Sequence, residues 1–134
     1  MPVYNAANTL DKCLKSIVEQ DYSDFMVVLV ENGSTDESYE ICRKWAKADK
    51  RIFVTQSDAG VSKARNKGLE IVSDKVDYFA FMDSDDYIDK TMYRRLISQA
   101  MATDADIVFC NFIKVIGNGY SEEKIITPEY KKKL

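Results

Sequence analysis

Continuous apolar runs alternate with helix-period stripes along this chain, and that alternation restricts its fold more than any single motif does. Leu10, Cys13, Leu14, Ile17 and Val18 follow the i, i+3, i+4, i+7, i+8 spacing of an amphipathic helix, with Asn8 or Thr9 placed to cap it. FMVVLVE (25–31) is an unbroken, largely β-branched run suited to a strand covered on both faces. STDE (34–37) has the form of a capping box, with Ser34 as N-cap and Glu37 reaching back; Ile41, Cys42, Trp45 and Ala46 stripe the helix it opens. RIFVTQ (51–56) reads as a strand, DAG (58–60) as a turn, and Val61, Ala64, Gly68, Leu69 and Val72 as one face of the next helix. DYFAFMD (77–83) is the fourth strand-like run, counting the stub PVY at the start. Met92, Leu96, Ile97, Ala100 and Met101 stripe a further helix, and ADIVFCNFIKV (105–115) reads as a last strand. Beyond GNG (117–119) the chain turns polar and the pattern is lost.

Strand and helix alternating at this spacing imply right-handed crossovers and an α/β fold, a mostly parallel, Rossmann-like sheet with helices on both faces. Ligands of such sheets bind at the carboxyl ends of the strands. That rule brings YNAAN (4–8), ENGSTD (31–36) and DSDD (83–86) to one rim, and these are the most polar turns in the chain.

Composition narrows the chemistry available there. With no histidine, the commonest general base and transition-metal ligand are absent, so any metal would be a hard cation held by oxygen. Nineteen Lys and Arg against 22 Asp and Glu give 19 − 22 = −3, which offers nucleic acid or an anionic membrane no electrostatic attraction. Lys131 to Lys133 form the one basic run and read as a solvated end. Cys13, Cys42 and Cys110 are odd in number and lack CxxC spacing, which points to buried thiols in a reducing cytosol rather than disulfides or zinc. No transmembrane segment is expected, since no run reaches the roughly 18 apolar residues of a membrane span, and the N-terminus lacks a signal-peptide pattern. The expected setting is the cytoplasm, free or at the cytoplasmic face of a membrane.

The acidic rim segment poses the sharpest physical question. Like charges repel by about 1 kcal/mol at 4 Å in water and ~4 kcal/mol at a partly desolvated surface, so crowding Asp83, Asp85 and Asp86 calls for a cation. On a strand, Asp83 and Asp85 would point the same way, about 6.6 Å apart, with Ser84 pointing away. Mg²⁺ or Mn²⁺ is commonly held by one or two carboxylates with substrate phosphates completing the shell. A bare DxD reads equally well as a solvated helix cap, with Asp86 and Asp89 the likelier cappers by position. Gly33, Ser34, Thr35 and Glu37 are accounted for by a strand-to-helix turn, which leaves Glu31 and Asn32 unexplained; an Asn amide can pair with a nucleobase edge. Lys63, Arg65 and Lys67 fall on the first turns of a helix, where cations oppose the macrodipole at roughly 0.3–1 kcal/mol each. Lys67 reads as solvated, whereas Arg65 suits an acidic rim residue or a phosphate equally.

Taken together, PVYNAANTLDKCLKSIVEQDYSDF, VVLVENGSTDES, SDAGVSKARNKGLE and FAFMDSDDYID, followed by ADIVFCNF, resemble the family 2 glycosyltransferases of GT-A fold over about residues 1 to 113. The resemblance implies transfer of a sugar, with inversion, from a nucleotide-sugar donor, a UDP-sugar first, to an acceptor left unspecified, in the making of a polysaccharide or glycoconjugate. It implies that Pro2 and Tyr4 flank the nucleotide and Asn32 reads the base. Asp83 would contact the nucleotide-sugar and Asp85 would ligate Mn²⁺ or Mg²⁺, with Glu31, Lys63, Arg65 and Ser84 completing the donor site and Asp83 a further metal ligand. Residues 1–115 would be the nucleotide-sugar-binding part of a truncated GT-A domain, and 116–134 a polar tail or the start of an acceptor half.

Several departures from the family pattern stand out. Glu31 and Asn32 replace the usual two aspartates before GST, Lys90 stands where a proline is common, and few residues precede PVYN. The family's carboxylate base lies well downstream of DxD, so no residue of this chain is assigned as the base. An acceptor proton must still be taken, a contribution of typically 10²–10⁴-fold. A sheet left with an open strand position would also be prone to self-association. Other readings compete. A nucleotidyltransferase shares the layout but should carry a glycine-rich loop that YNAANT lacks, and a receiver domain carries its acids after the first and third strands. A module that binds nucleotide without turnover fits the same residues.

Overall fold

A computed structural model describes residues 1–116 and 119–123 of the 134-residue chain. The chain divides into two compact units, Met1–Met92 and the residues from Tyr93 onward.

The first unit is built on a three-stranded parallel sheet in the order β1 (Pro2–Val3), β2 (Val27–Glu31), β3 (Ile52–Gln56), interleaved with α1 (Leu10–Val18), α2 (Ser38–Ala48) and α3 (Val61–Val72). Pro2 pairs with Val30 and Val27 with Ile52, so the carboxyl ends of all three strands finish level near Val3, Glu31 and Gln56. Every residue of β2 is buried, as its unbroken apolar run requires. Alternation along the strand sends Val28 and Val30 to the face packed with Ala64, Ile71 and Val72 of α3, and Leu29 to the other. At Gly68 a methyl group would stand 3.7 Å from Val30 Cγ2, which measures how closely α3 lies on the sheet. Leu10, Leu14 and Ile17 bury the inner stripe of α1, each contributing about 1.5–3 kcal/mol relative to exposure.

In the second unit α4 (Met92–Thr103) precedes an antiparallel hairpin of β4 (Phe112–Ile116) and β5 (Gly119–Glu123). Asp104, at φ +51°, takes the left-handed turn that ends α4 and lets Ala105 N–H reach back to Ala100 O at 3.1 Å.

The α/β fold and its parallel sheet are as the alternation implies, but several local expectations fail. Residues 77–83 join no ladder, and Phe79 and Phe81 are 61% and 47% exposed. Of the two sheet edges, β1 and β3, the β1 edge has only two residues, one a proline without an N–H, so it offers little backbone for a fourth strand to pair with. Within 105–115 only the part from Phe112 forms a strand, because that part alone faces a partner, β5. The capping box does not form. The helix opens at Ser38 with no side-chain bond at its cap, and Ser34 Oγ is engaged elsewhere, by Asn5 N–H. Thr9 occupies the cap position of α1, yet its one hydroxyl proton goes to Ser84 O at 3.0 Å, with Ala6 O a longer alternative acceptor at 3.3 Å, and its oxygen accepts nothing from the helix. Cys13 and Cys42 are buried, and burial pushes both thiols up to about 12, but Cys110 is exposed. No helix among the described residues is long and apolar enough to cross a membrane.

Candidate functional site

The loops that follow β1 and β2 are stitched into one surface. Asn5 sits at φ +48°, a conformation its short polar side chain tolerates, and its Oδ1 accepts from Thr35 N at 2.8 Å. In return Asn5 N donates to Ser34 Oγ (3.1 Å), Ala6 N to Ser38 Oγ (2.8 Å) and Ala7 N to Asp36 Oδ2 (3.0 Å). Asp36 also accepts from Ser38 N at 3.0 Å. The Ser38 hydroxyl first, then the Ala7 N–H and, less, the Ser38 N–H, hold its carboxyl below the ordinary range. Neither Asn5 nor Asp36 carries a sequence signal beyond its polarity, since the bonds join residues about thirty positions apart.

Glu31 shapes the second loop from beneath. Its Oε1 accepts the N–H groups of Gly33 and Ser34, and its Oε2 accepts from Gln56 Nε2 at 3.1 Å. Burial opposes ionisation of Glu31, yet the bonds from Ser34, Gln56 and Gly33 outweigh it and hold the carboxyl below its ordinary value. Gly33, at φ +94°, supplies the backbone turn that lets both amides converge there. Asn32 is 4% exposed. Its hydrogen-bonding surroundings orient the amide so that Nδ2 donates to Val3 O and Oδ1 accepts from Gly60 N at 3.3 Å, tying β1 to the start of α3. Pro2 is likewise buried in the sheet, whereas Tyr4 is 57% exposed.

The acidic segment forms a turn in place of a strand end, with Asp86 N reaching Asp83 O at 3.3 Å. The expected alternation is therefore corrected: no strand runs through 83–85, and Ser84 and Asp85 both line one cleft. Asp83 turns to Arg65, whose Nη2 lies 2.8 Å from its Oδ1, as the basic start of α3 suggested it could. Burial, then the charges of Asp85 and Asp83, pushes the Asp86 carboxyl up. Lys63 reaches Asp58 at 3.5 Å, and Lys67 pairs with Glu70 at the surface. Of the two expected cappers, Asp86 and Asp89, Asp89 accepts from Thr91 N at 2.9 Å just before α4.

The cleft, of about 350 Å³, lies between Tyr4, Asn5, Asn8 and Thr9 on one side and Ser84 and Asp85 on the other. A larger depression of about 540 Å³ among Glu40, Arg43, Lys44 and Lys47 lies along α2, away from the strand ends. We take the smaller one as the candidate site because it is where a parallel sheet binds ligands and where an aromatic ring, amides and a carboxylate converge. Among the described residues no three His, Cys, Asp or Glu side chains converge on one point. The hard oxygens of Asp85 and Asp83 nonetheless suit a divalent cation that draws the rest of its shell from a ligand's phosphates.

A parallel α/β sheet with a polar cleft over its strand ends defines the class, a GT-A domain. The family model described as Glycosyl transferase family 2 matches residues 1–134, and the chain belongs to that family. It is 42% identical over 113 residues to the glycosyltransferase GlyA of Streptococcus pneumoniae, covering 84% of this chain and 16% of that protein. It is 38% identical over 115 residues to the uncharacterized glycosyltransferase EpsJ of Bacillus subtilis, covering 85% of this chain and 33% of that one. Among solved structures, TarS of S. aureus in complex with UDP-GlcNAc superposes with a TM-score of 0.71 at 29% identity, over 78% of this chain and 31% of that chain. Its complex with UDP gives 0.69 at 28% identity, over 78% and 32%. This chain thus spans a third or less of the length of these relatives.

Proposed function

We propose that this chain is the donor-binding part of an inverting glycosyltransferase that takes a nucleoside-diphosphate sugar, UDP-linked first, into the cleft between Tyr4 and Asp85. The observation that carries the reading is that cleft itself: the exposed ring of Tyr4, just past the carboxyl end of β1, and the carboxylate-bearing Asp85 line it together. The UDP and UDP-GlcNAc complexes of TarS support the choice of donor.

Each side chain has a part that its surroundings permit. Tyr4 offers its ring to a nucleobase. Arg65 neutralises Asp83 and leaves Asp85 as the principal cation ligand, with Asp83 beside it to accept from donor hydroxyls. Lys63, held only by an exposed partner at 3.5 Å, is available to the diphosphate. Mn²⁺ or Mg²⁺ at Asp85 would offset the charge of the leaving diphosphate. Glu31, Asn32 and Pro2 act from beneath, setting the loops on which the donor rests. No residue of this chain is assigned as the base.

Calorimetric titration with UDP, with and without Mn²⁺, tests the reading. The wild-type chain is expected to bind UDP more tightly with Mn²⁺, and Asp85→Asn is expected to lose that increment, about tenfold or more, while keeping its fold by circular dichroism. An increment that survives Asp85→Asn would remove Asp85 from the site.

A further inference from the structure

The acidic turn is held by α1 and not by the sheet. Residues 77–83 join no ladder, so the backbone that carries Asp83, Ser84 and Asp85 has no strand neighbour to fix it. Arg65 of α3 holds the Asp83 side chain, and the backbone is met by a row of side chains from α1 and its two ends. Thr9 Oγ1 donates to Ser84 O at 3.0 Å and Cys13 Sγ to Asp83 O at 3.7 Å. Ser16 Oγ accepts from Ile88 N at 3.1 Å, and Gln20 Nε2 donates to Asp89 O at 2.7 Å. Asp21 N adds a backbone bond to Lys90 O at 3.1 Å.

Positions 9, 13, 16 and 20 are spaced four, three and four apart, which places them on one helix face. This face borders the stripe of Leu10, Leu14 and Ile17 that anchors α1 in the core, and the two share the buried Cys13. Every contact in the row goes to main-chain groups of 83–89, so it fixes where the turn runs and does not depend on which side chains the turn carries. Ser16 is suited to this in particular: its hydroxyl proton is spent on Cys13 O at 2.7 Å, which leaves the oxygen aimed at Ile88 N. Lys12 adds a cation over the ring of Tyr87, 3.4 Å from its centroid.

We propose that Thr9, Ser16 and Gln20 form a polar seam on α1 that positions the acidic turn, and hence that Ser16 and Gln20 are positioning residues for the Asp83 and Asp85 carboxylates. The consequence for donor binding rests on the reading given above. In that reading cation affinity depends on where Asp85 stands relative to the Tyr4 loop, so loosening the seam costs the metal-dependent part of UDP binding and spares the rest.

Two measurements on the same variants test this. Hydrogen exchange without ligand is expected to show Ile88 N–H and its neighbours in 83–89 exchanging at least about tenfold faster in Ser16→Ala and in Gln20→Met than in wild type, with α1 amides unchanged. Ser16→Thr, which keeps the hydroxyl, is expected to restore protection. Calorimetry is expected to show a Mn²⁺-dependent increment reduced about three- to tenfold in Ser16→Ala, the size of one lost hydrogen bond, with metal-free UDP affinity unmoved. Unchanged exchange across 83–89 in both variants overturns the seam, whatever the nucleotide does. If instead the seam variants speed exchange but wild type has no Mn²⁺ increment for Asp85→Asn to remove, the seam stands and the cation reading fails.

Discussion

At the scale of single residues, the site is shaped by carboxylates put to different uses. Glu31 is the one the sequence marked as unexplained, and its use is structural: it gathers two backbone N–H groups and the Gln56 amide under the β2 loop. Because these donors favour the ionised form, its folded pKa lies below the ordinary 4.5. The linkage sign follows. A depressed carboxyl contributes stability that is fully present above the unfolded value and is lost as pH falls through the folded one. Glu31→Gln is therefore expected to cost about 1–3 kcal/mol at pH 7, by analogy with hydrogen bonds to charged groups. The gap from wild type should narrow as pH drops below about 4.5. Urea unfolding at neutral and acid pH checks this, and a cost that is the same at both would mean that the charge of Glu31 is not what the loop relies on. The family resemblance gave Asn32 to the base, whereas its amide is occupied by Val3 O and Gly60 N. From the sequence alone a buried amide bridging two loops and an exposed one reading a ligand look alike.

At the scale of elements, α1 carries two faces with separable jobs. Leu14, fully buried, belongs to the face that anchors the helix, and Leu14→Ala is expected to cost about 2–5 kcal/mol of global stability through the cavity it leaves. Thermal unfolding should register that loss, while Ser16→Ala, at the half-buried seam, should shift the melting temperature far less and act on the acidic turn. Equal losses from the two would erase the distinction. The apolar face was legible because Leu10, Cys13, Leu14 and Ile17 recur at helical spacing. The seam was not, because Ser16 and Gln20 look like ordinary solvent-facing positions until 83–89 is laid against them. The same asymmetry explains the missed strand. DYFAFMD has the local character of a strand, but a ladder also needs a neighbour, and β1 offers two residues with one of them proline. YNAAN follows β1 as the strand-end rule expects, since that rule depends on topology, which alternation does encode; DSDD reaches the same cleft with no strand before it. The direction of each acidic side chain depends on a turn that alternation does not encode.

At the scale of the whole molecule, the described residues leave a large apolar surface uncovered. In the first unit Tyr78 and Phe79 are 41% and 61% exposed, and Phe79 meets Phe81 edge-to-face with centroids 5.6 Å apart. Contiguous aromatic surface of this kind on a soluble unit marks either an interface or a tendency to associate. A net charge of −3 supplies only weak repulsion against it. The free edge of β1 adds little to this, since its two residues are buried and one is a proline without an N–H. The chain studied alone is therefore expected to self-associate in the micromolar range, visible in sedimentation velocity as a mean mass that rises with concentration. Tyr78→Ser combined with Phe79→Ser is expected to return it toward the monomer. Phe81 is left in place because its ring lies 5.7 Å from the Arg65 guanidinium that holds Asp83, so altering it would confuse association with damage to the donor site. UDP binding by the double variant should equal that of wild type. A chain that stays monomeric at all concentrations would show that these rings are no association surface, and a double variant that still associates would move the contact elsewhere.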